Sequence, residues 1–207
     1  MAQQTDKDIK EKFDNSFTRK FGFPVRRPVD KIINELRPTH IEFIQQSPFC
    51  VMATSDTMGR CDASPKGGLP GFVKVLNNRQ VLIPDVAGNK LFQSYQNTSE
   101  NPHIGLIFFI PGVNETVRIN GSVKIVSEQE LKRLEIELEV QNPDEKAKVL
   151  QGMLVTIDEA YGHCPRAFTF ADLWDTDQID ANSGKPKNLT TERVICEESF
   201  NGCTVKS

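Results

Sequence analysis

The apolar positions change their period along the chain, and each change marks an element. Residues 1 to 27 are polar and charged, with Phe13, Phe17, Phe21 and Phe23 spaced through them. That spacing fits either an arm laying aromatic rings on another surface or short helical turns packing locally. From Pro28 the period is helical: Pro28 suits a first turn, Ile32, Ile33 and Leu36 share a face, Pro38 interrupts, and Ile41, Phe43 and Ile44 resume until Ser47-Pro48. Two short helices are expected there.

At Phe49 the period shortens to that of strands. Phe49 to Thr54 is an apolar run, Asp56-Thr57-Met58-Gly59 a turn, and Arg60 to Ser64 the returning arm of a hairpin. Gly71 to Leu76 and Gln80 to Pro84 flank Asn77-Asn78, a pair that tolerates the positive φ of a tight turn. Gly88 to Glu100 reads as a helix with Leu91, Phe92 and Tyr95 on one side. His103 to Ile110 is the most apolar strand, Glu115 to Val126 a long one, and Met153 to Tyr161 the last. Ser127 with Glu130 three residues on is a capping box, followed by Leu131, Leu134 and Leu138 at helical spacing. Ala167 to Leu173 is a closing helical turn.

Six or seven short strands with hairpin turns do not alternate with helices, so a parallel βαβ sheet is excluded. The pattern predicts a mainly β chain with flanking helices, a small antiparallel barrel. Residues 1–27 are expected to form an N-terminal arm, 28–175 the folded domain, and 176–207 a polar, loosely held tail.

Composition narrows the functional classes. Lys and Arg number 25 against 28 Asp and Glu, a net charge of −3, without a basic run that could track phosphates, so no nucleic-acid partner is expected. The longest apolar run, Ile104 to Ile110, is too short to cross a bilayer, and the polar N-terminus lacks a signal-peptide core, so neither a membrane partner nor secretion is expected. The five cysteines show no C-x-x-C spacing. Free thiols in the cytoplasm are the simplest reading.

The common hydrolase, metalloprotease, dinucleotide and P-loop motifs do not occur, and three histidines leave little for a metal site, so no metal is expected. What remains is a set of Gly/Pro-rich turns with basic residues: Ser64-Pro65-Lys66-Gly67-Gly68, Pro84-Asp85-Val86-Ala87-Gly88-Asn89-Lys90, and Pro111-Gly112 leading to Arg118-Ile119-Asn120-Gly121. Glycine lets backbone amides approach an anion and lysine supplies a point charge, so together these turns could cradle a phosphate. Each alone is equally a surface loop or, at Asp85 and Asn89, a helix cap.

The succession Phe49 to Asp56, Gly59 to Gly68, Pro70 to Val73, Leu82 to Asp85 with Gly88-Asn89-Lys90, Asn101-Pro102, Gly105 to Gly112, Glu115 to Gly121, and His163-Cys164-Pro165-Arg166-Ala167 to Trp174 resembles a subgroup of the pyridoxamine 5′-phosphate oxidase-related, FMN-binding split-barrel family. The resemblance implies a six-stranded antiparallel split β-barrel that forms a homodimer with FMN at the subunit interface. It implies that Lys90 falls on the lysine that holds the FMN phosphate, Asn89 on the arginine before it, and Asp85 in the same turn. Ser64, Lys66 and Gly67 match a second phosphate or ribityl contact; Thr116 falls where the oxidase has a flavin-contacting glutamine, and Arg118 follows it on the same strand. His163, Arg166 and Trp174 match the segment that reaches toward substrate or the partner's flavin. Phe170-Ala171 stands where the subgroup has Arg-Ser, and no Arg-x-His segment, which in the oxidase grips the vitamin phosphate, is present. The resemblance thus implies a flavin-dependent oxidoreductase acting on a small molecule other than pyridoxamine phosphate, or a non-catalytic protein that binds a flavin, a deazaflavin or haem.

Overall fold

Helices lead into and flank one rolled sheet. The computed structural model describes residues 6–86, 91–137 and 148–184, and the backbone of 194–195 and 204–205. Helix α1 (Asp6–Lys12) places Asp6 and Asp8 in its first turn and Lys10 and Lys12 in its last, matching its dipole, and buries Ile9. In α2 (Ser16–Phe21) the Asn15 side-chain Oδ1 accepts from the Phe17 and Thr18 N–H groups, and Gly22 at φ 98° ends the helix. Phe17 and Phe21 stay 72% and 75% exposed.

The helix expected from Pro28 to Leu36 does not form. Helix α3 (Arg26–Val29) stops early, because Ile33 is extended and exchanges two hydrogen bonds with Ala160 on the last long strand, of 3.2 and 2.6 Å. The Leu36 N–H reaches the Asn78 carbonyl at 2.7 Å. Pairing with the sheet outcompetes the local period. Pro38 opens α4 (Pro38–Gln46) instead of interrupting a helix, since a first-turn N–H has no intrahelical partner to lose.

The strands follow as β1 (Phe49–Ser55), β2 (Cys61–Gly67), β3 (Lys74–Asn77) and β4 (Gln80–Val86), then helix α5 (Gln93–Glu100), β5 (His103–Phe109), β6 (Thr116–Ser127), helix α6 (Glu128–Arg133) and β7 (Val149–His163). Helices α7 (Arg166–Ala171) and α8 (Thr176–Ser183) and the two-residue strands β8 (Val194–Ile195) and β9 (Thr204–Val205) close the described chain. The main sheet is antiparallel with order β2-β1-β5-β6-β7-β4-β3, seven strands flanked by helices. Among the described residues no strand pairing joins its ends, so the barrel is split between β2 and the β4–β3 end.

Two prolines show how the sequence tolerates this arrangement. Pro65 lies in β2, which has a partner on one side only, and Pro84 lies beyond the end of β3, where β4 pairs with β7 alone. A missing donor therefore costs no ladder bond on the open side. Cross-strand neighbours share a face, and the inner one collects Cys50, Met52, Leu106, Phe108, Val117, Ile119, Val155 and Ile157, each at most 4% exposed. Helix α5 is lashed to this sheet by Asn97 Nδ2 donating to Thr54 Oγ1 and Asn101 Nδ2 to the Ser55 carbonyl, both at 3.1 Å.

Helix α6 begins with the capping box read from Ser127 and Glu130, and its Leu131 packs with Leu82 and Val126 in a second small core. It ends at Arg133, and Glu135 follows at φ 54°, so the helical spacing that continued to Leu138 is not used; residue 138 lies outside the described residues. A bulge between Asn120 and Gly121 shifts the register of β6 on β7. Among the described residues no helix is long and apolar enough to cross a membrane.

Candidate functional site

The split in the sheet forms a cleft. Register pairs Thr54 with Asp62, Met52 with Ser64 and Cys50 with Lys66, and since the β1 members point into the core, Asp62, Ser64 and Lys66 point inward as well. Among the described residues no strand pairs on the far side of β2, so these polar side chains face the gap. Asp85 and Val86, at the end of β4, form the opposite wall, and Phe92, Ser94 and Tyr95 of the α5 start complete a cleft of about 170 Å³.

Its electrostatics follow from burial and one cation. Burial raises the Asp85 carboxyl above the usual carboxylate value, against the opposing pull of Lys66 and a hydrogen bond from Gln151. Burial, and then the Asp85 charge, push the Tyr95 phenol up. Ser94 donates its hydroxyl to Asp62 at 2.6 Å, so that carboxylate already has a partner. Phe92, the residue before α5, is left-handed at φ 51°, a conformation that costs a bulky residue of order 1–3 kcal/mol and is typical of constrained sites.

Ser64, Lys66 and Asp85 are thus brought together as the cradle reading requires. Asn89 and Lys90 lie outside the described residues, within the short link from Val86 to Leu91, both of which line the cleft. Gly67 ends β2 opposite Phe49, where an added Cβ would meet only ordinary contacts of 3.5 and 3.7 Å, and it does not line the cleft.

Thr116 and His163 pair across β6 and β7 at a second cleft, of about 250 Å³, walled by the α3–α4 segment through Lys31, Arg37, His40 and Phe43. Thr116 is 2% exposed and its Oγ1 has no hydrogen-bond partner among the described residues. An unsatisfied buried hydroxyl costs about 1–3 kcal/mol. Burial, helped by the Arg37 charge, holds His40 below its ordinary value, and its Nδ1 accepts from the Arg37 N–H at 3.4 Å.

The remaining expected residues are occupied elsewhere. Arg118 lies on the outer face with its guanidinium 5.9 Å from the Tyr161 ring centre. Arg166 stands 5.0 Å over Phe170. Trp174 stacks on Phe168 at 6.1 Å and donates its Nε1–H to the Val113 carbonyl at 3.1 Å, pinning the α7 region to the β5–β6 turn. Within one chain neither Arg118 nor these two lines the β2–β4 cleft.

Sequence reasoning missed Asp62, Ser94 and Tyr95 in the first cleft and Lys31, Arg37 and His40 in the second. The alternation Asp62, Ser64, Lys66 was a usable signal for the first of these. No local pattern links residues 31–40 to Thr116. The outer face of the sheet is apolar and open along Phe49 and Ala53 of β1 and Ala63 and Pro65 of β2, all exposed.

The model of a family described as pyridoxamine 5′-phosphate oxidase matches residues 36–164. No curated protein matches the sequence. Among solved structures, HupZ of Group A Streptococcus is similar at 13% identity, covering 61% of this chain and 93% of its own, with a TM-score of 0.46. A Lactobacillus delbrueckii protein described as a pyridoxamine 5′-phosphate oxidase is 17% identical over 62% of this chain and 95% of that one, with a TM-score of 0.46. A pyridoxamine 5′-phosphate oxidase-related, FMN-binding protein of Nostoc punctiforme is 14% identical over 61% and 84%, with a TM-score of 0.40.

Proposed function

Because the chain belongs to the pyridoxamine 5′-phosphate oxidase family, which matches residues 36–164, we propose that it is an FMN-dependent oxidoreductase acting on a small molecule, with FMN held at the interface of a homodimer in the cytoplasm. The observation that carries this reading is the β2–β4 cleft, where Ser64 and Lys66 face Asp85 beside the start of α5. A lysine and a serine hydroxyl on one wall are donors suited to a phosphate ester, and a carboxylate opposite is an acceptor suited to a sugar-alcohol hydroxyl. The residues present therefore fit the phosphate and ribityl end of FMN.

In this reading Lys66 and Lys90 neutralise the phosphate, Ser64 donates to it and Asn89 completes the cradle, while Gly67, outside the cleft, takes no part in it. Asp85 accepts from a ribityl hydroxyl, while Phe92 and Tyr95 exclude water. FMN, when bound, supplies reversible two-electron chemistry on its ring. The protein's share is to bind, orient and shield.

Two features support a homodimer. The open apolar face along β1 and β2 is the kind of surface that marks a protein partner. In one chain the Lys66 cleft and the Thr116 cleft are lined by different residues throughout. A cofactor touching both Lys66 and Thr116 takes one of them from a second copy, and Arg118, His163, Arg166 and Trp174 then belong to the partner's side of the flavin.

The experiment is an absorbance spectrum of protein expressed with riboflavin, mass spectrometry of the released ligand, and light scattering for oligomeric state. Flavin bands, an FMN mass and a dimer are expected, with bound flavin reduced by a nicotinamide donor if the protein turns over. A deazaflavin or haem mass would replace FMN by that group. A colourless protein that ignores added FMN, or a monomer retaining it, would overturn the reading.

A further inference from the structure

The second cleft has the chemistry of a ligand site in its own right. Two fixed cations, Lys31 and Arg37, face one carboxylate, Glu115, with His40 and His163 beside them, so the cleft carries a net positive charge at neutral pH. Thr116, which lines it, is 2% exposed, with a hydroxyl that no described residue satisfies. Buried polar groups are nearly always hydrogen-bonded, so an orphan hydroxyl lining a cavity calls for a partner from outside the chain. Phe43 and Val117 give the same cleft an apolar wall.

Size restricts the occupant. The cleft holds about 250 Å³, roughly eight waters at the ~30 Å³ each occupies in the liquid. That suits a single ring with one acidic group. A guanidinium presents a planar fork that matches a carboxylate in two-point contact.

We propose that this cleft binds a small carboxylic acid with an apolar, single-ring body, its carboxylate held by Arg37 and Lys31 and by the Thr116 hydroxyl, its ring against Phe43. The binding site stands without any flavin. Its role as the substrate subsite, with a small aromatic or cyclic acid as the substrate class, rests on the function proposed above.

The test uses the full chain and benzoate as probe, followed by calorimetry and ligand-observed NMR, with benzamide and inorganic phosphate as controls. Saturable benzoate binding, with benzamide and phosphate much weaker, is expected. Arg37→Ala should weaken benzoate about tenfold or more, the loss of a hydrogen bond to a charged group, and Lys31→Ala guards against a fold defect at the α4 start. Thr116→Val should weaken benzoate about fivefold while raising the melting temperature of the ligand-free protein by roughly 2–4 °C, because a methyl replaces an unsatisfied hydroxyl. A purely structural Thr116 would give the reverse: a lower melting temperature and unchanged binding.

The two readings fail separately. Benzoate binding that survives Lys66→Ala while FMN binding is lost supports an independent subsite. Benzoate binding by a protein that takes no FMN keeps the subsite and ends the flavin reading. Phosphate binding with no benzoate binding, or FMN binding with none, overturns the subsite.

Discussion

Replacing Gly121 by alanine tests whether the bulge at the centre of the sheet is as constrained as its geometry says. A Cβ there would lie 2.1 Å from the Thr156 carbonyl oxygen, 3.1 Å from its carbon and 3.2 Å from a Val155 methyl. Real Cβ atoms essentially never come within 3.0 Å of such neighbours, so the backbones must part by about 1 Å. The obstacle cannot rotate away, because Thr156 is paired with Ser122 on one side and Gln80 on the other. Overpacking ordinarily costs about 1–3 kcal/mol, and a hydrogen-bonded backbone obstacle puts Gly121→Ala near the upper end, about 3 kcal/mol. For a chain of this size that lowers the melting temperature by roughly 6–12 °C. The assay is calorimetric melting of the ligand-free protein, checked by the urea midpoint. Gly105→Ala is the control, since its added Cβ would meet Asn120 Oδ1 at 3.4 Å and the Ala53 Cβ at 3.9 Å, ordinary contacts. It should stay within about 0.5 kcal/mol of the parent. A Gly121→Ala protein melting within about 2 °C of the parent, on the same scale of a few degrees per kcal/mol, would refute the reasoning.

In fluorescence titrations Lys90→Ala should weaken FMN by about 1.5–3 kcal/mol and Lys66→Ala by less, and unchanged dissociation constants in both would remove the phosphate assignment. Asp85→Asn should raise the melting temperature at neutral pH: the folded carboxyl titrates above its unfolded value, so its contribution is present below the unfolded value and lost as pH rises through the folded one. That advantage should shrink on acidification, and a constant difference between pH 4 and 7, an interval starting about where a free Asp titrates, would contradict it. Ser127→Ala removes the acceptor for the Glu130 N–H and should cost about 1 kcal/mol, or roughly 2–4 °C on heating; no change would mean that Leu131 packing alone holds α6.

Legibility followed the range of the interactions. The hairpin of β1 and β2, the capping box at Ser127 and the long strand from Glu115 rest on near neighbours, and the residue pattern shows them. The region of Ile32, Ile33 and Leu36 has helical spacing, yet Ile33 hydrogen-bonds to Ala160, a partner that no local window contains. The bulge beside Gly121 was equally hidden, because its extra residue, Asp158, lies on the distant strand β7. In the first cleft Ser64, Lys66 and Asp85 were legible from their Gly/Pro-rich segments, although the turns expected there are the ends of strands β2 and β4, whereas Tyr95 and Ser94 joined through the packing of α5. The second cleft was invisible at its N-terminal wall, since Lys31, Arg37 and His40 meet Thr116 only after the sheet has formed.

The strand order has a consequence for how the chain is made. Strand β4, with Val81, Leu82 and Ile83 all buried, emerges from the ribosome early, but its long partner is β7, which pairs Val81 with Val155 and Ile83 with Met153. Until β7 has been synthesised, an apolar strand with one short neighbour waits with an open edge. Pairings so distant in sequence make for slow folding and a window for intermolecular association. Pro84, near the end of that waiting strand, and Pro65 in the other exposed edge remove donors there and blunt two edges for passing strands. Ribosome-bound chains truncated before β7 should therefore be the species that chaperones hold, and chains extended past it the first to resist proteases.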